Sequence, residues 1–157
     1  MLEVKPRILI VEARSHDDLA DELLRGAKAV LDQSTAEYDV ITVPGAFEIP
    51  AVIAIAEEGG HRAAGVRYDG YVALGCVIRD ETSQFEVIAQ EAARGLMDLA
   101  VGRRIPIGNG VLCAETKAQA LSHARAPAPD RPDAGATAVN ACLDMITVRR
   151  RLLGQIR

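Results

Sequence analysis

The sequence predicts an α/β domain: one four-stranded parallel sheet with helices packed on both of its faces. Three observations carry that reading. Short β-branched runs alternate along the chain with longer segments of helical period, the pattern of strand–helix–strand crossovers. The strand runs are apolar nearly throughout, as expected of strands buried on both faces. The 157 residues leave room for one hydrophobic core, so 1–157 is read as a single domain, a three-layer sandwich of flavodoxin-like type.

Each element has its own signal. RILIVEA (Arg7–Ala13) is the first strand. Asp17 or Asp18 caps a helix through 31, with Leu19, Leu23, Leu24, Ala27 and Val30 on one face. YDVITV (38–43) is the second strand, and 47–58 the next helix, ended by Gly59 and Gly60. YDGYVALG (68–75) gives a third strand, followed by a long helix over 83–101 that Gly102 closes. IPIGNGVLCA (105–114) is the fourth. Thr116 caps a helix through His123, and Glu115 places negative charge near its start. The segment 126–133 carries Pro127, Pro129 and Pro132 and is read as loop. A last helix covers 134–153, with Val139, Leu143, Met145, Ile146 and Leu152 apolar.

Composition excludes several functions. The formal net charge is −4, and no basic patch is interleaved with aromatics, which argues against nucleic-acid binding. No stretch is long and apolar enough to span a bilayer, and the first apolar run is too short for a signal-peptide core, so the expected location is the cytoplasm. Cys76, Cys113 and Cys142 show no CxxC spacing; each is read as a buried, reduced thiol, with neither a zinc site nor a disulfide framework.

Parallel sheets of this kind bind ligands beyond the carboxyl ends of their strands. After strand one, Arg14, Ser15 and His16 form either a polar lead into a helix or a ligand contact. After strand two, Pro44 stops the strand, Gly45 permits a tight turn, and Ala46, Phe47 and Glu48 open the next helix. Small residues beside an aromatic suit a flat heterocycle, although Phe47 as core and Glu48 as a dipole partner are equally ordinary roles. After strand three, Thr82 and Ser83 at a helix start provide either an N-cap or an anion cradle, with the carboxylates of Asp80 and Glu81 beside it. In strand four, Gly108 and Gly110 flank Asn109, a pattern of bulges or of close backbone approach. His123, Arg125 and Arg131 follow as a loose cationic group. No Walker loop, GxGxxG, GxSxG or metal-spaced His/Cys set occurs.

VPGAFEIP (43–50) together with LGCVIRDETSQF (74–85) resembles the lumazine synthase family over nearly the whole chain, and DDLADELLRGAKAVL and IPIGNGVL add to the likeness. That family joins 5-amino-6-(D-ribitylamino)uracil to 3,4-dihydroxy-2-butanone 4-phosphate, a transferase reaction of riboflavin biosynthesis that releases phosphate and water. The resemblance implies no cofactor, a pentamer-based homo-oligomer, and a site shared between subunits. It implies that Ala46, Phe47 and Glu48 hold the ribityl chain and ring, while Cys76, Val77 and Ile78 line the pyrimidine pocket. Ser15 falls at the position of a stacking aromatic, and Glu81 and Thr82 offer backbone N–H groups to phosphate. Asn109 and the His123–Arg125 region come from the adjacent subunit, His123 standing where the family has a phosphate-binding arginine. The family's proton-donor histidine falls at Gln84, its glycine before the phosphate pair at Asp80, and its lysine-containing loop at the proline-rich 126–133. An amide does not titrate, and losing a general acid or base costs about 10²–10⁴-fold. The alternative reading is therefore a weak or inactive paralogue that binds lumazine or flavin and forms an oligomeric assembly.

Overall fold

A computed structural model describes residues 4–125 and 132–154. Four strands, β1 (Arg7–Ala13), β2 (Glu37–Val43), β3 (Gly70–Ile78) and β4 (Ile107–Ala114), form one parallel sheet in the order β2-β1-β3-β4. Five helices cover it: α1 (Asp17–Asp32), α2 (Ile49–Gly59), α3 (Phe85–Arg103), α4 (Lys117–Ala124) and α5 (Ala134–Leu153). The expected sandwich is present.

Strand alternation divides the core into two halves. Ile8, Ile10, Val72, Leu74, Cys76 and Ile78 face α1, α4 and α5, where they meet Leu19, Leu23, Ala27, Ala120, Val139, Cys142 and Ile146. Leu9, Val11, Ala13, Tyr71, Ala73 and Val77 face α2 and α3, against Ile49, Ile53, Ala92 and Leu96. Full burial of one such large aliphatic side chain stabilises by roughly 1.5–3 kcal/mol, so the central strands β1 and β3 anchor the fold. The outer strands are less covered, and Val40 and Ile41 of β2 remain exposed.

The glycine pair of β4 settles one open reading. Register runs without a break from Tyr71 opposite Ile107 to Ile78 opposite Ala114, so there is no bulge. A Cβ on Gly108 would stand 1.9 Å from the Ala138 carbonyl oxygen. The pair therefore lets α5 lie directly on the strand backbone.

Several boundaries differ from the sequence reading. β3 runs through Ile78 rather than ending at Gly75, which places Cys76, Val77 and Ile78 inside the sheet. Residues Ala46–Glu48 form a 3-10 turn, and α2 proper begins at Ile49, with Pro50 in a first turn where its missing N–H costs no hydrogen bond. α1 is capped by neither aspartate: His16 holds the cap position, and Asp17 and Asp18 lie in the first turn. α3 starts at Phe85 and passes through Gly102; the left-handed residue that stops it is Arg104, at φ 55°. Cys113 is exposed, because it stands near the end of the edge strand β4, opposite Val77, where the helices on that face do not cover it, whereas Cys76 and Cys142 are buried. Thr116 caps α4 as expected, its hydroxyl accepting from the Gln119 N–H at 3.3 Å. The loop expected over 126–133 lies, through Arg131, outside the described residues.

Candidate active site at the carboxyl edge of the sheet

All four strands point the same way, so their carboxyl ends share one edge. Because β1 lies between β2 and β3, the Arg14–Ser15–His16 turn stands between the loop after β2 and the loop after β3.

The loop after β2 is shaped by its backbone. Gly45 is extended (φ −149°, ψ 169°), Ala46 is buried, and the 3-10 turn then throws Phe47 outward, 54% exposed. Residues 44–48 form one wall of an open groove of about 480 Å³. The opposite wall is the start of α3, with Gln84, Val87 and Ile88. Two sequence motifs far apart in the chain thus meet across one cleft. Apolar walls with a carboxylate and an amide at the rim suit a flat polar heterocycle.

The loop after β3 is held by side chains. The Arg79 guanidinium donates to Glu115 at 3.1 Å and Glu86 at 2.8 Å, and it lies 4.4 Å from the centre of the Phe85 ring. These hydrogen bonds, to Glu86 first and then Glu115, raise the Arg79 pKa above its ordinary value. The Thr82 hydroxyl accepts from the Gln84 N–H at 3.1 Å, closing the turn that leads into α3. The Glu81 carboxylate faces back across β1 and meets His16 Nε2. Its charge is directed at the imidazole, and the contact ties the loop after β3 to the turn after β1.

Below this loop, burial pushes the Cys76 thiol up to about 12, with smaller contributions from Cys113 and Glu81. Cys76 packs in the half of the core beneath α1, α4 and α5, outside the lining of the groove, and is not a nucleophile. Beside it, Glu12 is buried; its Oε1 accepts from Arg14 Nε and from the Thr42 hydroxyl, each at 2.9 Å. Arg14 also reaches Asp21 at 2.8 Å, and these partners, led by Glu12, raise its pKa.

One chain does not gather every expected residue. Asn109 lies mid-strand opposite Ala73, and its side-chain oxygen accepts from the Val111 N–H at 2.9 Å. His123 occupies the last turn of α4, and neither it nor Arg125 lines the groove between residues 44–48 and the start of α3. Arg125 instead approaches Glu22 of α1 at 3.5 Å. Ser15 is at the edge as expected, exposed, with its hydroxyl 3.3 Å from His16 Nδ1. The contributions that sequence reasoning did not assign are those of Arg79, Val87 and Ile88; the sequence leaves His16 open between a polar lead into the helix and a ligand contact, and does not announce its partner Glu81.

Comparison with known proteins gives one consistent result. The family model described as 6,7-dimethyl-8-ribityllumazine synthase matches residues 5–150. A 6,7-dimethyl-8-ribityllumazine synthase of Agrobacterium fabrum is 51% identical over 150 residues, covering 96% of this chain and 99% of its own. A protein of Rhizobium meliloti named 6,7-dimethyl-8-ribityllumazine synthase 1 is 51% identical over 153 residues, or 97% of each chain. One from Nitrobacter hamburgensis is 51% identical over 146 residues, covering 93% of this chain and 87% of its own.

Proposed function

The chain belongs to the 6,7-dimethyl-8-ribityllumazine synthase family, and on that premise we propose that it condenses 5-amino-6-(D-ribitylamino)uracil with 3,4-dihydroxy-2-butanone 4-phosphate in riboflavin biosynthesis. The observation that carries the reading is the groove in which residues 44–48 face Gln84. Ala46, Phe47 and Glu48 hold the ribityl chain and ring there, toward the end of β3 at Cys76, Val77 and Ile78. The Glu81–Thr82 turn takes the phosphate through backbone N–H groups, which is favourable near the start of α3. Amine addition, dehydration and phosphate loss are heterolytic steps without net oxidation, so they call for no electron-carrying cofactor.

Holding two reactants side by side itself supplies on the order of 7–11 kcal/mol toward a bimolecular step. Turnover with Gln84 at the usual histidine position is consistent with that magnitude. The alternative of a binding paralogue without useful catalysis rests on Gln84, Asp80 and Ser15, and the near full-length similarity to proteins named as synthases weighs against it.

The functional unit is proposed to be a cytoplasmic homopentamer. Asn109, His123 and Arg125 lie away from their own groove, so a neighbouring copy is the natural source of those contacts. Helix α3 leaves Val87, Met97 and Val101 exposed, as a helix awaiting a partner does. Light scattering on the purified protein should give a multiple of five chains; a monomer would refute the shared site. Incubation with both substrates should produce the fluorescent lumazine. No product above the uncatalysed background at saturating substrate would overturn the function.

A further inference from the structure

The condensation needs a group that gives a proton and takes one back, and Gln84 can do neither. Of the three histidines, His61 follows α2 at the amino edge of the sheet, and His123 ends α4 away from the groove. His16 is at the carboxyl edge, between the two substrate loops. Its ring is held from both sides: Nε2 by the Glu81 carboxylate and Nδ1 by the Ser15 hydroxyl at 3.3 Å. The second contact is at the long end of hydrogen bonding and is readily exchanged for another acceptor. A carboxylate on one ring nitrogen fixes the orientation of the ring, leaving the other nitrogen to work. The small Ser15 side chain leaves that nitrogen approachable.

We propose that His16 is the proton-transfer group of this chain's condensation, with Glu81 as its positioning residue. This rests on the function proposed above. Protonated His16 gives its Nδ1 proton to the departing hydroxyl of the carbinolamine; the C–O bond breaks, water leaves, and the nitrogen lone pair forms the iminium. The neutral imidazole then removes the proton from the carbon next to the iminium. The resulting enamine expels phosphate from the following carbon, and the imidazole is again protonated, so the proton balance closes.

The test is steady-state kinetics on the full-length protein. His16→Gln should lower kcat by about 10²-fold or more, with KM for either substrate changed by no more than about threefold. Added imidazole should restore turnover to His16→Ala in a concentration-dependent way. Glu81→Gln should lower kcat by about tenfold, through orientation alone. His61→Gln, at the opposite edge, should leave kcat unchanged, and circular dichroism checks that each variant is folded. A folded His16→Gln that keeps its kcat, or whose loss is entirely in KM, overturns the assignment. Absence of lumazine from the wild-type protein overturns instead the function on which it rests, so the two failures are distinguishable.

Discussion

The loops after β2 and β3 face each other across one groove, yet they are built on different principles. Pro44, Gly45 and Ala46 fix the first by backbone geometry, and its large side chains, Phe47 and Glu48, are exposed toward the cleft. The second keeps its shape through contacts between distant side chains: Arg79 to Glu115 and Glu86, and Glu81 to His16. A backbone-built loop can present a binding surface whatever its neighbours are. A side-chain-built loop depends on partners from the turns after β1 and β4 and from α3, so its chemistry can be reassigned by exchanging a partner.

The largest expected effect tests that exchangeability directly. In a His16→Gln background, Gln84→His should recover turnover by on the order of 10²-fold, because it returns a titratable ring from the other side of the cleft. No recovery would mean that position 84 is no longer placed for proton transfer. In the wild-type background the same substitution should raise kcat, and an unchanged rate would show that proton transfer at 84 is not limiting.

Next in size is the binding loop. Phe47→Ala should raise KM for the ribitylaminouracil up to about tenfold, the equivalent of about 0.5–1.5 kcal/mol of ring contact, with little change in kcat. A kcat effect of equal size would erase the distinction between a binding loop and a chemical one. A smaller effect is expected from Arg79→Met. Amide hydrogen exchange should quicken several-fold across 79–84 and stay unchanged across 44–48. Equal quickening of both would mean that the loops share one support.

The smallest effect should be none at all. With its pKa pushed up to about 12 by burial, Cys76 is almost wholly protonated at pH 9. Iodoacetamide should leave it unmodified in the folded protein and alkylate it in urea. Labelling of the native protein at that pH would mean that the floor of the second loop opens.

The difference between the loops also explains how much could be read in the sequence. β1 and α5 were legible to the residue, because continuous β-branched runs and apolar periodicity are local signals. The stop at Pro44 and the tight turn at Gly45 were legible for the same reason, since Pro and Gly act on their own backbone, whereas the 3-10 turn at Ala46–Glu48 reads locally as the opening of α2. The end of β3 was not: Gly75 resembles a strand stop, yet a Cβ there would stand 3.1 Å from the side chain of Ala13, so close packing against β1 favours glycine within the strand. Arg104 as the left-handed stop of α3 was hidden too, because Gly102 is the better local candidate. The His16–Glu81 contact spans 65 positions of sequence and exists only because the sheet order puts β1 beside β3. Nothing local announces it. The fold and the family motifs were therefore readable from pattern, while the partner that completes the second loop required the tertiary arrangement.

The close seating of α5 on Gly108 and Gly110 bears on how this chain matures during synthesis. One half of the core, with Ile8, Ile10, Val72 and Leu74, lies beneath α1 and α5. At about 5–20 residues per second, several seconds separate the emergence of β1 from that of residue 134. During that interval the part of this sheet face that α5 covers waits exposed beside α1, and neighbouring nascent chains can associate through it. Arrival of α5 ends the exposure, so slow translation or a damaged glycine pair should appear first as aggregation, before any loss of catalysis per folded molecule.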